Sequence, residues 1–132
     1  MLSKYDILIV DDVPLNLLLV KKMLGGFNFN VRTAENGLEA IREIMAQKPD
    51  LVLLDILMPL MDGFEVLSKL KEKPEWSDVK VVVLSALNSN EDIVKAFNLG
   101  AADFITKPIL MDKLCNAVAK ALEIPLKADS GQ

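Results

Sequence analysis

Leu51-Val52-Leu53-Leu54-Asp55-Ile56-Leu57-Met58-Pro59 decides the fold. Four apolar residues run without alternation and stop at a carboxylate. A strand with one face in water alternates apolar and polar side chains. An unbroken run therefore marks a strand covered on both faces, as in a parallel sheet between helices. Ile56 to Pro59 do not continue into a helix, so Asp55 stands at a strand end rather than at a helix cap.

The same pattern recurs on either side. Ile7-Leu8-Ile9-Val10 runs into Asp11-Asp12, and Val81-Val82-Val83-Leu84 runs into Ser85. Val31-Arg32-Thr33-Ala34 is shorter and mixed, which reads as an edge strand, and Phe104-Ile105-Thr106 is a short strand leading to Lys107. Helical signals fill the gaps. Pro14 suits a first helical turn, and Gly25-Gly26 stops the segment after Leu24. Leu38, Ile41, Ile44 and Met45 recur at helical spacing, as do Phe64, Leu67 and Leu70 behind a turn and cap at Asp62-Gly63. Ser89-Asn90-Glu91-Asp92 opens a stripe of Ile93, Ala96 and Phe97 that ends at Gly100. Leu110, Leu114, Val118 and Ala121 form the last stripe, with Cys115 beside it as a small core residue. Strand and helix alternate five times, so the expected class is α/β, a doubly wound five-stranded parallel sheet, (βα)5. Residues 1–124 read as one domain and 125–132 as a polar tail or linker stub.

Composition narrows the chemistry. The chain has 132 residues, 52% of them hydrophobic and 26% charged, enough to bury a core without disulfides. It has no histidine, which removes His-based metal sites, Ser-His-Asp triads and phosphohistidine on this chain. A net charge of −4 with no basic stripe argues against direct contact with nucleic acid. One cysteine excludes an internal disulfide and suits a reducing cytoplasm. No segment reads as a signal peptide or a membrane-inserted helix.

The informative polar residues follow the strands: Asp11 and Asp12, Asp55, Ser85 and Lys107. In a parallel sheet these ends share one edge, where open α/β folds bind ligands at the point of strand-order reversal. The common flavodoxin-like order 2-1-3-4-5 is taken from known doubly wound sheets rather than from these residues. It would set the first and third strands side by side and bring the three carboxylates together. Two carboxylates ~4 Å apart repel by roughly 4 kcal/mol at an effective dielectric near 20. A cation is therefore expected, and hard oxygen ligands favour Mg²⁺. Mg²⁺ and the Lys107 ammonium together balance the three carboxylates. That surrounding suits a carboxylate that accepts a phosphoryl group. Taken singly, Asp11 and Asp12 read equally well as helix caps, Ser85 as a turn residue and Lys107 as a solvated lysine.

Val10-Asp11-Asp12, Leu54-Asp55 with Met58-Pro59 and Asp62-Gly63, Ser85-Ala86, and Gly100-Ala101-Ala102-Asp103-Phe104 through Lys107-Pro108 resemble the signature of response-regulator receiver domains of two-component signalling. The resemblance covers nearly the whole chain. It implies a phosphorylation-activated switch, not a turnover enzyme, in which Asp55 takes a phosphoryl group from a sensor histidine kinase or a phosphotransfer protein. It further implies Mg²⁺ on Asp12, Asp55 and the Leu57 carbonyl, with Asp11 acting through metal-bound water. Ser85, the Ala86 amide and Lys107 would hold the phosphoryl oxygens, and Ser85 and Phe104 would form the switch. An output partner would bind at Ile93, Phe97 and Phe104, and the Lys107–Pro108 peptide would be cis. Ala102, Lys113 and Ala117 depart from the charged pattern by which transcription-factor receivers of the winged-helix class pair. Leu57 and Leu87, two residues beyond Asp55 and Ser85, resemble positions flanking the path of the hydrolytic water. Being apolar, they imply slow loss of phosphate.

Three rivals are set against this. A haloacid-dehalogenase-like aspartyl-phosphate phosphohydrolase also uses a strand-end Asp and Mg²⁺, but needs a second Asp where Leu57 stands. A flavodoxin-like FMN module would want a Ser/Thr/Gly-rich loop where Asp11 and Asp12 stand. A receiver-like platform that never takes phosphate would have no need of the full acceptor set.

Overall fold

A computed structural model describes residues 5–125, leaving most of the tail expected at 125–132 outside the described residues. Five strands and five α-helices alternate: β1 Tyr5–Val10, α1 Pro14–Met23, β2 Phe29–Ala34, α2 Gly37–Ala46, β3 Leu51–Leu54, α3 Gly63–Glu72, β4 Lys80–Ser85, α4 Asn90–Asn98, β5 Asp103–Thr106 and α5 Met111–Leu122. A short 3₁₀ turn, Pro74–Trp76, which the sequence reading did not anticipate, tucks Trp76 into the core ahead of β4. All strand pairs are parallel, in the order β2-β1-β3-β4-β5, so β2 is an edge strand as expected.

The continuous apolar runs do what their pattern requires. Successive residues of a strand point to opposite faces, and each face of this sheet carries its own core. Leu8, Val10, Val52, Leu54, Val81 and Val83 pack with α2, α3 and α4. Ile7, Ile9, Leu51, Leu53, Val82 and Leu84 pack with α1 and α5. Cys115 is buried on α5.

Two helical stripes need correction. Leu38 and Met45 lie on α2 but are 45% and 66% exposed, and the buried face is Gly37, Ala40 and Ile44. Leu110 precedes α5 as its N-cap and is exposed. In both cases an apolar residue on the solvent side fell into the helical period by chance.

The helix starts differ in chemistry. Asp62 caps α3 in a reciprocal box: the Glu65 amide donates to Asp62 at 3.0 Å, and the Asp62 amide donates to the Glu65 carboxylate at 3.3 Å. Asn36 and Ser89 cap α2 and α4. The N-cap of α1 is Val13, so neither Asp11 nor Asp12 takes that place. At the far edge of the sheet Arg32 donates to Asp6 at 3.0 Å, to the Glu43 carboxylate at 2.9 Å, and to the carbonyls of Glu43 and Gln47 at 3.0 and 2.7 Å. One guanidinium thus joins two carbonyls at the C-terminal end of α2 to a buried carboxylate of β1, which also accepts from the Gln47 side-chain amide.

Candidate functional site: an acidic pocket at the strand ends

The backbone ladder continues one residue past the strands and places the polar side chains. The Asp11 amide donates to Ala34 O at 3.1 Å, the Asp55 amide to Val10 O at 2.9 Å, and the Lys107 amide to Ser85 O at 2.8 Å. Because β1 lies beside β3, Asp11, Asp12 and Asp55 each offer an oxygen, all within 4.8 Å of one another. Asp11 and Asp55 are buried and Asp12 is half-buried. The Lys107 ammonium donates to Asp11 Oδ2 at 3.0 Å and to Asp55 Oδ2 at 3.3 Å. The Lys107–Pro108 peptide is cis.

Each carboxylate is also oriented by neutral donors. Asp11 Oδ1 accepts from the Val13 amide at 2.9 Å and from the Asn16 side chain at 3.4 Å. Asp55 Oδ1 accepts from the Leu57 amide at 3.2 Å. Asn16 was missed in the sequence; its only signal was an amide one turn into a helix that starts beside two aspartates.

Burial pushes the Asp55 carboxyl above the usual carboxylate range, against the pull of the Lys107 charge, and the neighbouring Asp11 adds to the rise. For Lys107, burial opposes the ammonium form. The Asp11 hydrogen bond and the charges of Asp55 and Asp11 outweigh it and lift its pKa above the ordinary lysine value. A buried carboxylate whose proton is held unusually well is a site short of positive charge. The donor set, three hard oxygen ligands around one point, fits Mg²⁺.

Ser85 is fully buried, and its Oγ accepts from the Leu87 amide at 3.1 Å. Ala86 is exposed beside it, and Phe104 is half-buried against the core shared with α4. Phe97 is exposed and Ile93 half-buried on α4. Leu57 is exposed and shares a groove with the half-buried Leu87.

The loop from Asp55 to α3 is pinned. A Cβ on Gly63 would come within 2.6 Å of Asp55 O, and one on Gly37 within 2.5 Å of Met61 O, so only glycine admits both approaches. Gly63 N–H donates to Ile56 O at 3.0 Å and closes the loop. Within it the Met61 amide donates to Pro59 O at 2.9 Å around Leu60, whose φ is 71°. That is the φ and the hydrogen bond of a classic γ-turn, a rare and strained one. Left-handed backbone costs a residue with a side chain roughly 1–2 kcal/mol.

A family model described as response regulator receiver domain matches residues 7–119. The chain is a receiver domain. Receivers are signalling switches rather than turnover enzymes, and phosphorylation and Mg²⁺ binding are typical of the family. The receiver is 41% identical over 103 residues to Response regulator PleD of Caulobacter vibrioides, aligning with 78% of this chain and 23% of that protein. It is 40% identical over 116 residues to Chemotaxis protein CheY of Listeria monocytogenes, covering 87% of this chain and 96% of that one. Among solved structures, the CheX-CheY-BeF3-Mg²⁺ complex from Borrelia burgdorferi superposes with a TM-score of 0.82 at 31% identity, over 88% of this receiver and 87% of that chain. The receiver therefore spans under a quarter of one relative and nearly all of another. Among the described residues, no helix is long and apolar enough to cross a membrane.

Proposed function

We propose that Asp55 accepts a phosphoryl group from a phosphohistidine, carried by a sensor histidine kinase or a phosphotransfer protein, in the cytoplasm. The observation that carries this is the shared ammonium: Lys107 lies within hydrogen-bond distance of both Asp11 and Asp55, with Asp12 completing the cluster. An Asp55 oxygen attacks phosphorus, the P–O bond forms as the P–N bond breaks, and the electron pair leaves on the imidazole nitrogen. Lys107 turns from the carboxylates to a phosphoryl oxygen, and the Ser85 hydroxyl and Ala86 amide donate to the others. These groups surround the acceptor and need only turn toward the phosphoryl oxygens, which supplies the positioning that phosphoryl transfer asks of a protein. Asp12, Asp55 and the Leu57 carbonyl would hold Mg²⁺, with Asp11 behind a metal-bound water. When bound, the metal supplies charge neutralisation at the transferring phosphoryl oxygens.

Incubation with radiolabelled acetyl phosphate tests the assignment. Parent protein should take label only when Mg²⁺ is added, and Asp55→Asn, which keeps the shape without the nucleophile, should take none. Label retained by Asp55→Asn at the same site would overturn it.

The switch runs through Ser85. To reach a phosphoryl oxygen its hydroxyl leaves the Leu87 amide, which frees the loop before α4 and opens space toward Phe104. The face of Ile93, Phe97 and Phe104 then shifts along a pre-existing equilibrium and changes what an output partner meets. Beryllofluoride, a mimic of the acyl phosphate, should move NMR signals across this face. Shifts confined to the acidic pocket would refute the coupling.

A further inference from the structure

We infer that two lysines clasp α4 to α3 and hold the switch in its resting arrangement, and so set how much of the altered output face exists before any phosphoryl group arrives. The inference rests on Ile93, Phe97 and Phe104 being the face that phosphorylation changes.

The core holds α4 less than any other helix. Only Ala96 is buried on α4, whereas α3 buries Gly63, Val66, Leu67 and Leu70. An element with so little buried surface is easily displaced. What α4 lacks in the core it regains from α3. The Lys95 ammonium lies 4.2 Å from the centre of the Phe64 ring, where the negative face of the aromatic ring attracts a cation. The Lys71 ammonium donates to Asn98 O at 3.0 Å, at the negative end of the α4 dipole. The ties run in opposite senses. One reaches from α4 to the first turn of α3, and the other from the last turn of α3 to the end of α4. A swing of α4 away from α3 breaks both.

Phe64 joins the clasp to the switch. It is half-buried and packs, with Leu87 and Phe104, against the core on that side of the sheet. It also shares a groove with Leu87, whose amide donates to Ser85 Oγ. When Ser85 releases that amide, the loop entering α4 is freed, but the clasp still holds the helix at its middle and its far end. Asp62, Glu65 and Glu72 line the same groove as Lys95, yet among the described residues Lys95 forms no ion pair and sits on the ring instead. Each such tie biases a two-state equilibrium by about threefold, enough to set a resting population without locking it.

Titration with beryllofluoride and Mg²⁺, followed by NMR, tests the clasp. Lys95→Met and Lys71→Met keep apolar stems and remove the cations. Before beryllofluoride is added, the Ile93, Phe97 and Phe104 amide signals of each variant should lie displaced from the parent's free positions toward its bound ones. Beryllofluoride should then bind about threefold more tightly to each variant and about tenfold more tightly to the pair. The sign is diagnostic, because loss of a cation would by charge alone weaken the binding of an anion. Phe64→Leu should act in the same direction as Lys95→Met, and the two together should do no more than either alone, since both break one tie. Unmoved α4 signals and parental affinity in the double lysine variant would overturn the clasp. Weaker binding, or effects of Phe64→Leu and Lys95→Met that add, would overturn it too. Parent shifts confined to the acidic pocket would instead overturn the switch on which the clasp rests.

Discussion

Leu57, two residues beyond Asp55, the acceptor proposed above, is 52% exposed and shares its groove with Leu87. Hydrolysis of an acyl phosphate needs a water in line behind phosphorus, and neither leucine can hydrogen-bond such a water. A poorly oriented nucleophile forfeits much of its proximity advantage. Leu57→Asn and Leu87→Glu together should therefore hasten loss of label from kinase-free phosphoprotein by about tenfold. Decay of the double variant at the parental rate would show that the leucines do not set the lifetime. At this scale the sequence was legible wherever a polar residue followed an apolar run: Asp11, Asp12, Asp55, Ser85 and Lys107 all sit at strand ends. It was silent on Asn16 and on the γ-turn at Leu60. An amide side chain has no period, and a positive φ on leucine leaves no trace in composition.

Among the elements, the strands were read best, because burial on both faces leaves an unbroken apolar run. The helices were placed correctly but faced wrongly at Leu38, Met45 and Leu110, since solvent-side apolar residues mimic the buried stripe. The order of the strands came from known sheets, not from the residues, because register between distant segments is a tertiary property. The tie at the far edge was illegible for the same reason: Asp6 and Arg32 are 26 residues apart, and nothing local pairs them. The Asp6 side chain is 8% exposed in that ion pair. Arg32→Met removes the charged partner of this carboxylate, which keeps only the Gln47 side-chain amide, and takes the guanidinium from the Gln47 carbonyl, so it should cost about 2 kcal/mol in denaturant unfolding. Adding Asp6→Asn should recover part of the loss. Acetyl phosphate labelling should persist in both, since the acceptor lies at the opposite edge. A loss under about 0.5 kcal/mol would mean that water replaces the guanidinium without penalty.

For the molecule as a whole, the acidic cluster is a standing cost of the metal-free fold. On the proposed reading Mg²⁺ binds the folded cluster and not the unfolded chain, so saturating it should add stability, about 2.7 kcal/mol at 100 times the dissociation constant. For a domain of this size that is a rise in melting temperature of roughly 10 °C. Asp12→Ala should abolish most of the response while raising the melting temperature in a chelator, because one repelling charge is gone. A parental melting temperature indifferent to Mg²⁺ would count against the metal site.

The sheet also stands as a wall between two cores that share no helix. No buried residue of α1 or α5 enters the core of α2, α3 and α4, and the strands alone contribute to both. The chemistry occupies the wall's upper edge and belongs to neither room. The alternating side chains of four-residue and six-residue strands are what keep the two cores apart.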